Sequence, residues 1–527
     1  MPNRPTDTGG AGLLSDITRL RVVVAGAGTA GASAARFLAS RGATVTVVDD
    51  RAGAGAGLAD SGVTVIPTAV AVGADGTAAL DADLLVVSPG FRPEAAVVAC
   101  ARRGGVPVWG EVELAWHVDA SGLLGPPRTW VVITGTNGKT TTTSMVEAIV
   151  EHSDRTVAAC GNIGLPVLDA LTAEPRVEVL AAELSSFQLF WAPSVMPTAG
   201  VVLNIAEDHL DWHGSMDAYV AAKAGALRGP LAVIGGDDPV AGTMSATSPG
   251  AVTVATRLGA PAEGEVGVVD GHIVDRAFGP GRVTRRIVAV DGLRPPGPPG
   301  VADATAAAAL CLGIGIDPAA VAVGLSGFVP GRHRGEVVAR WGAIAAVDDS
   351  KATNPHAAQA SIAARRRVVL VAGGQLKGAA VDDLVVAVAD RLAGVVVLGV
   401  DRDLISAAIL RHAPTIPTVT LFTGDDGRVN AMPVRSGADA TAADRAERAA
   451  RAAMHTPSDD AGTPAEQVMT AAVLAAHDLA TSSPAPVDAV LLAPAAASLD
   501  MFGGYGARGD AFAAAAVAAG ARREVTA

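Results

Sequence analysis

The chain has 527 residues, half of them hydrophobic but only 3% aromatic, and a formal net charge of −13. That length exceeds a single core, and cores of Ala, Val, Leu and Ile bury little area per side chain, so roughly two to four domains of many layered elements are expected. The charge disfavours non-specific binding to nucleic acid, and three scattered cysteines (Cys100, Cys160, Cys311) without a CxxC argue against a disulfide framework or a zinc site.

The opening stretch MPNRPTDTGGAGLLSD is rich in Pro and Gly and has no apolar centre, so it reads as a short tail rather than a signal peptide. No apolar run reaches the roughly 18 residues of a membrane span. A cytoplasmic α/β protein is expected.

From Arg21 onward, short runs (RVVVAGAG, ATVTVVDD, GVTVIP, ADLLVVSPGF) alternate with Ala-rich helical stretches, the pattern of parallel strands with crossover helices. Gly26-Ala27-Gly28-Thr29-Ala30-Gly31 follows the first strand, and Asp49-Asp50 ends the next. By pattern alone this is a dinucleotide fingerprint, with tight strand–helix packing as the plainer alternative. Near residue 120, SGLLGPPR reads as a linker.

A strand from Trp130 to Thr134 opens a second α/β unit and leads into Gly135-Thr136-Asn137-Gly138-Lys139-Thr140-Thr141. Glycines let backbone N–H groups turn toward phosphate oxygens, and the following helix adds its positive end. Lys139 supplies a cation for the β/γ-phosphates, and the Thr140 or Thr141 hydroxyl can reach Mg2+. The spacing, GxxGKTT, is shorter than the usual phosphate loop.

Glu183 ends the apolar run of AAELSSFQ, where a carboxylate faces the top of a parallel sheet. Then comes Asn204-Ile-Ala-Glu-Asp208-His209-Leu-Asp211. His209 and His213 are four apart, but no third His or Cys stands near enough to favour zinc. Lys223, in AYVAAKAGAL, sits on an Ala-rich stretch where a solvated lysine is the ordinary case. The unit ends near GLRPPGPPG, before an Ala-rich helix from Asp303 to Leu312.

A third region begins near Phe328 to Arg332, with strands AIAAVDDS, RVVLVAGG, GVVVLGV and DAVLLAPA. It contains Gly331-Arg332-His333-Arg334, the polar strand end Asp348-Asp349-Ser350-Lys351-Ala352-Thr353-Asn354-Pro355, the turn Gly373-Gly374-Gln375-Leu376-Lys377-Gly378, and Ser498-Leu499-Asp500-Met501-Phe502 followed by Tyr505 and Arg508-Gly509. Between Met432 and Gln467 the chain turns polar and charged and reads as a mobile insertion, with room for a short surface helix from Ala442 to Met454.

These motifs together resemble the Mur ligase family over nearly the whole chain, and the DSKATN string resembles its D-glutamate-adding branch. The resemblance implies an α/β fold of three domains: a Rossmann-like UDP-substrate domain over residues 1–120, a P-loop ATPase-like parallel sheet over 121–330, and a Rossmann-like amino-acid domain over 331–527. It implies an ATP-dependent amide ligase that joins D-glutamate to UDP-N-acetylmuramoyl-L-alanine through an acyl phosphate in peptidoglycan precursor synthesis. A sister Mur ligase or a folylpolyglutamate synthase-like enzyme is the alternative.

By matching positions, the UDP substrate is expected on Thr29, Ala30, Asp49, Asp50, Arg51, Gly90, Asn162 and Ser185. ATP is expected on the loop from Gly135 to Thr141 with Arg334, Asp349 and Lys351. D-glutamate falls to Thr353, Lys377, Ser498, Leu499 and Tyr505. Lys139, Glu183, His209 and Lys223 are the expected catalytic group, and Thr140, Glu183, His209 and a carbamate on Lys223 the ligands of a pair of Mg2+ ions. Asp303 stands where many relatives carry an adenine-contacting Asn. A monomer without nucleic-acid partners is expected. An NAD-dependent oxidoreductase would account for GAGTAG and Asp49 but leaves GTNGKTT and DSKATN unexplained. An inactive nucleotide-binding regulator would not need Lys139, Glu183, His209 and Lys351.

Overall fold

The computed structural model describes residues 10–73, 80–279, 283–424, 426–434, 439–454 and 462–523. They fall into two compact units, residues 1–293 with 300–328 and residues 294–299 with 329–527.

The first unit holds two sheets. β1 (Arg21–Ala25), β2 (Thr44–Val48), β3 (Thr64–Ile66), β4 (Leu84–Val87) and β5 (Val108–Gly110) form an all-parallel sheet in the order β3-β2-β1-β4-β5. Its central strands β1 and β4 are Val- and Leu-rich because helices cover both faces, and only the opening Arg21 of β1 is left to water. The second sheet joins β6 (Thr129–Thr134), β7 (Val157–Gly161), β8 (Val179–Glu183), β9 (Ala199–Val202), β10 (Leu231–Gly235), β11 (Val252–Thr256), β12 (Val266–Val269), β13 (His272–Asp275) and β14 (Arg285–Ala289) in the order β14-β13-β12-β11-β10-β9-β6-β8-β7. It is parallel from β7 through β12 and ends in an antiparallel meander.

One hydrophobic cluster runs through both sheets, taking in Val24, Leu38 and Val86 together with Trp130, Val132 and Leu180. The stretch read as a linker is pinned at this seam. Asp119 accepts the backbone N–H of Arg128 at 2.8 Å, its guanidinium at 2.8 Å and the Trp130 indole N–H at 2.9 Å. A buried charge pair satisfied in this way fixes geometry, and loss of either partner strands the other.

The second unit is one sheet of β15 (Glu336–Trp341), β16 (Ile344–Asp348), β17 (Val368–Gly373), β18 (Leu392–Leu398), β19 (Thr418–Thr423), β20 (Val429–Val434), β21 (Ala489–Leu492) and β22 (Arg522–Arg523), ordered β20-β19-β18-β17-β21-β16-β15-β22. The inner strands from β19 to β16 are parallel and the edges antiparallel.

Within the region read as an insertion the expected helix forms, but it packs into the core instead of lying at the surface. Ala440–Ala453 is a helix whose Ala442, Ala446, Ala449, Ala450 and Ala453 are buried in the core beneath the sheet. Their spacing places them on one helical face, and alanine buries that face without needing bulk. Residues 435–438 and 455–461 of that region lie outside the described residues. Among the described residues no helix is long and apolar enough to cross a membrane.

Candidate active site

In the first unit β6 lies between β8 and β9, all parallel, so three carboxyl ends gather at one edge of the sheet. Loops leaving such ends build the crevice where α/β proteins bind ligands. The loop after β6 enters a helix, Lys139–Val150, through Gly138 at φ +81°. That left-handed conformation suits glycine, and a Cβ there would also strike the Asp303 carboxylate. Asp303 thus packs against the phosphate loop.

The loop is shaped from outside by residues that follow β9. Asn204 Oδ1 accepts the Asn137 N–H at 2.8 Å, and its Nδ2 donates to the Asn137 carbonyl at 3.1 Å. Thr136 Oγ1 accepts the Ala206 N–H at 2.9 Å and meets the Tyr219 hydroxyl at 3.0 Å. Lys139 Nζ donates to the carbonyls of Gly135 and Thr136 at 2.9 and 2.7 Å.

Glu183 ends β8 in register with Ile133 of β6 and is buried. Its Oε1 accepts Asn162 Nδ2 at 2.7 Å, whereas its Oε2 is buried without a hydrogen-bond partner. A buried carboxylate oxygen left unsatisfied is costly, and a hard cation is the ligand that would satisfy it. The donor set therefore fits Mg2+.

Lys223 ends the helix Met216–Lys223, and its buried Nζ donates to the Gly135 carbonyl at 2.7 Å. Burial, reinforced by the charge of Lys139, pushes its pKa well below the usual lysine value. His209 caps the short helix Leu210–His213 at φ +55°, with Nε2 3.4 Å from Asp208 Oδ2. His213 hydrogen-bonds Ser186 Oγ at 2.9 Å, and burial lowers its pKa to about 4.

The expected UDP residues are brought together less uniformly. Asp49 is held well below the usual carboxylate range by its hydrogen bonds to the Arg51 side chain, and it also accepts the Ala27 N–H of the glycine turn at 2.8 Å. Thr29 is exposed at the start of the helix Thr29–Ser40, with Ala30 beside it. Asp50 instead accepts both the backbone N–H and the hydroxyl of Thr68, at 2.8 and 2.7 Å. Gly90 follows β4 at the same sheet end. Asn162 belongs with Glu183, and Ser185 caps the helix Ser186–Phe190 in a reciprocal pair with Gln188.

In the second unit β16, β21 and β17 are neighbours, so Asp349 to Asn354, Ala493 to Ser498 and Gly373 to Gly378 leave adjacent strand ends. Gln375 and Ala497 exchange backbone hydrogen bonds at 2.8 and 2.9 Å, bringing the turn that carries exposed Lys377 against the loop that carries buried Ser498. Lys351 Nζ lies 4.2 Å from the Tyr505 ring centre, a cation–π contact. Burial pushes the Asp349 carboxyl up to about 6, with the charges of Arg365 and Arg334 opposing. Leu499 is largely exposed and Thr353 half-buried.

The model of the Mur ligase middle domain matches residues 133–264, and that of the MurD-like N-terminal domain residues 20–110. UDP-N-acetylmuramoylalanine–D-glutamate ligase of Rhodococcus jostii (strain RHA1) is 55% identical over 413 residues, 78% of this chain and 82% of its own length. The enzyme of that name from Mycolicibacterium smegmatis is 53% identical, over 78% of this chain and 81% of its own. The chain belongs to the Mur ligase family. Among solved structures, UDP-N-acetylmuramate–alanine ligase of Thermotoga maritima aligns at 19% identity and a TM-score of 0.47, over 76% of this chain and 91% of its own.

Several residues of this Mur ligase stood inside the motifs without an assigned role. Arg508 is buried and donates to Ser350 Oγ and O, Gly373 O and Ala496 O at 2.9 to 3.3 Å, joining the three strand ends of the second unit. Burial lowers its pKa to about 10. His333, at φ +65°, donates from Nδ1 to Asp348 Oδ2 at 2.6 Å, which raises its pKa. Gly509 packs against that pair so closely that a Cβ would collide with both partners. With Glu336, His333 and Asp348 bring three potential ligand atoms within 4.8 Å of one another. The sequence signal was present in the RG and HR pairs, but the partners lie 15 residues away for His333 and up to 158 away for Arg508.

Proposed function

We propose that this Mur ligase uses ATP to join D-glutamate to UDP-N-acetylmuramoyl-L-alanine, releasing ADP and phosphate. The name carried by the relatives that are 55% and 53% identical supports the substrate pair. The observation that carries the chemistry is the strand-end group of Lys139, Glu183 and Lys223 around one phosphate loop.

In this reading the loop N–H groups and Lys139 hold the β/γ-phosphates of ATP. The alanine carboxylate of the nucleotide sugar attacks the γ-phosphorus, the bond to the ADP oxygen breaks, and an acyl phosphate forms. The amine of D-glutamate then attacks the acyl carbon, loses a proton, and phosphate departs with the bonding pair. Lys139 offsets charge growing on the transferred phosphoryl oxygens.

Glu183, His209 and Thr140 would hold Mg2+, with Asn162 orienting Glu183. When bound, the metal screens phosphate charge and polarises the phosphoryl group. Burial eases loss of the Lys223 ammonium proton; the freed amine would attack CO2, shed a second proton, and as a carbamate add an anionic oxygen ligand. Asp49, Arg51, Thr29, Ala30 and Gly90 take the UDP moiety. Arg334, Asp349 and Lys351 contribute to the nucleotide. Lys377, Ser498 and Thr353 give a dianionic amino acid the cation and donors it requires, with Leu499 and Tyr505 beside them. The buried thiols Cys100, Cys160 and Cys311 suit a reducing cytoplasm.

Phosphate release measured with UDP-N-acetylmuramoyl-L-alanine against a panel of D- and L-amino acids tests the reading. Turnover with D-glutamate far above all others is expected, and equal or better turnover with L-alanine or a diamino acid would replace it with a sister activity.

A further inference from the structure

Aromatic side chains are scarce in this chain, yet Phe187, Phe190, Trp191, Trp212 and Tyr219 gather beside the loop that follows β4. Two indoles grip successive carbonyls of that loop. Trp212 Nε1 donates to Gly90 O at 3.3 Å, and Trp191 Nε1 donates to Phe91 O at 3.2 Å. The Phe190 ring stands edge-on to both, 4.9 Å from Trp191 and 5.1 Å from Trp212. An ion pair between Arg92 and Asp211 at 3.1 Å ties the same two segments at the surface.

Trp212 also belongs to the turn that presents His209. Its backbone N–H donates to the His209 carbonyl at 3.1 Å. The Phe187 ring packs on His209 at 4.7 Å and on Trp212 at 4.9 Å. A histidine at φ +55° is a sparsely populated conformation that persists only where its surroundings hold it. The aromatic cluster is that surrounding.

We propose that Trp212 is a positioning residue that links the Gly90 loop to His209, so that a uridine nucleotide seated on the loop also fixes the imidazole. The inference rests on the ligase reading for the roles of Gly90 and His209. Trp191, fully buried, anchors the loop from beneath. Trp212 is half-buried, so its indole can be altered with less disturbance of the core.

The test uses the full chain with Trp212→Phe, which keeps a ring but loses the N–H, and Trp212→Ala, which loses both. Binding of UDP alone and of UDP-N-acetylmuramoyl-L-alanine is measured by calorimetry, and phosphate release is titrated separately in nucleotide sugar, ATP and Mg2+. Loss of one neutral hydrogen bond predicts about fivefold weaker binding of both uridine ligands to Trp212→Phe, with the KM for ATP unchanged. Trp212→Ala is expected to add a fall in kcat of about tenfold or more and a higher Mg2+ requirement, through a loosened His209. Parent-like uridine binding in Trp212→Phe would overturn the proposal, as would an equal rise in every KM. Should Trp212→Ala not fold, the Phe variant decides. A parent that binds UDP but turns over no substrate would instead sink the ligase reading, leaving the binding arm to judge Trp212.

Discussion

Lys139 and Lys223 donate to the same acceptor, the carbonyl oxygen of Gly135, at 2.9 and 2.7 Å. Two cations on one oxygen repel, and Lys223 is the deeper of the two, so it is the one that gives up its proton more readily. The loop lysine and the lysine proposed to carry a carbamate thus meet at a single backbone atom.

Replacing Lys223 by Ala is expected to reduce kcat by about two to three orders of magnitude. The parent should lose activity in CO2-free buffer and regain it on addition of bicarbonate, while Lys223→Ala responds to neither. Steady-state phosphate release under controlled CO2 reads both. A variant at full rate, or a parent indifferent to CO2, would reject the carbamate.

Glu183→Gln separates activity from stability. Oε2 of Glu183 is buried without a hydrogen-bond partner, so the neutral amide removes a buried charge while its oxygen can still accept from Asn162. Activity should fall by about 10²-fold or more and Mg2+ affinity with it, whereas Tm holds or rises. Thermal scans with and without Mg2+ would show the parent stabilised by the metal and the variant unaffected.

Glu111 makes a pH prediction. It is buried, accepts the Leu168 N–H at 2.7 Å, and burial raises its pKa to about 7. A carboxyl whose folded pKa lies above its unfolded value lends full stability below the unfolded value, near 4.5, and loses it as pH rises toward 7. Glu111→Gln should match the parent at pH 4 and exceed it above pH 7, by on the order of 3 kcal/mol. Urea unfolding at a series of pH values measures the difference. A constant offset at every pH would show that the hydrogen bond, and not the proton, decides.

Arg508→Met should weaken the second unit by about 3 kcal/mol, because Ser350, Gly373 and Ala496 lose a buried donor. D-glutamate KM should rise more than ATP KM, since those strand ends lead to Ser498 and Lys377. Gly509→Ala is expected to act in the same direction by pushing His333 and Asp348 apart. Hydrogen exchange at the ends of β16, β17 and β21 would localise the effect.

Local chemistry was enough to single out GTNGKTT, because a glycine-rich turn after an apolar run has few other uses, and Glu183 at a strand end, whereas DSKATN stood out only through the family resemblance. Many inner parallel strands were legible because strands covered on both faces must be continuously apolar, although β10 and β11 of the second sheet went unread. The antiparallel flanks β12 to β15, β20 and β22 were not, since partly exposed strands carry mixed residues, and β19 was also missed.

Only the folded chain decided which polar groups meet. Asp50 hydrogen-bonds Thr68, Asp303 came to rest against Gly138, and the helix within the polar segment placed an alanine face in the core. Arg508, the His333–Asp348 pair and the two indoles on Gly90 and Phe91 join residues from about 15 to 160 positions apart. Such partners are set by the order of strands in a sheet, a property of packing that no local window contains.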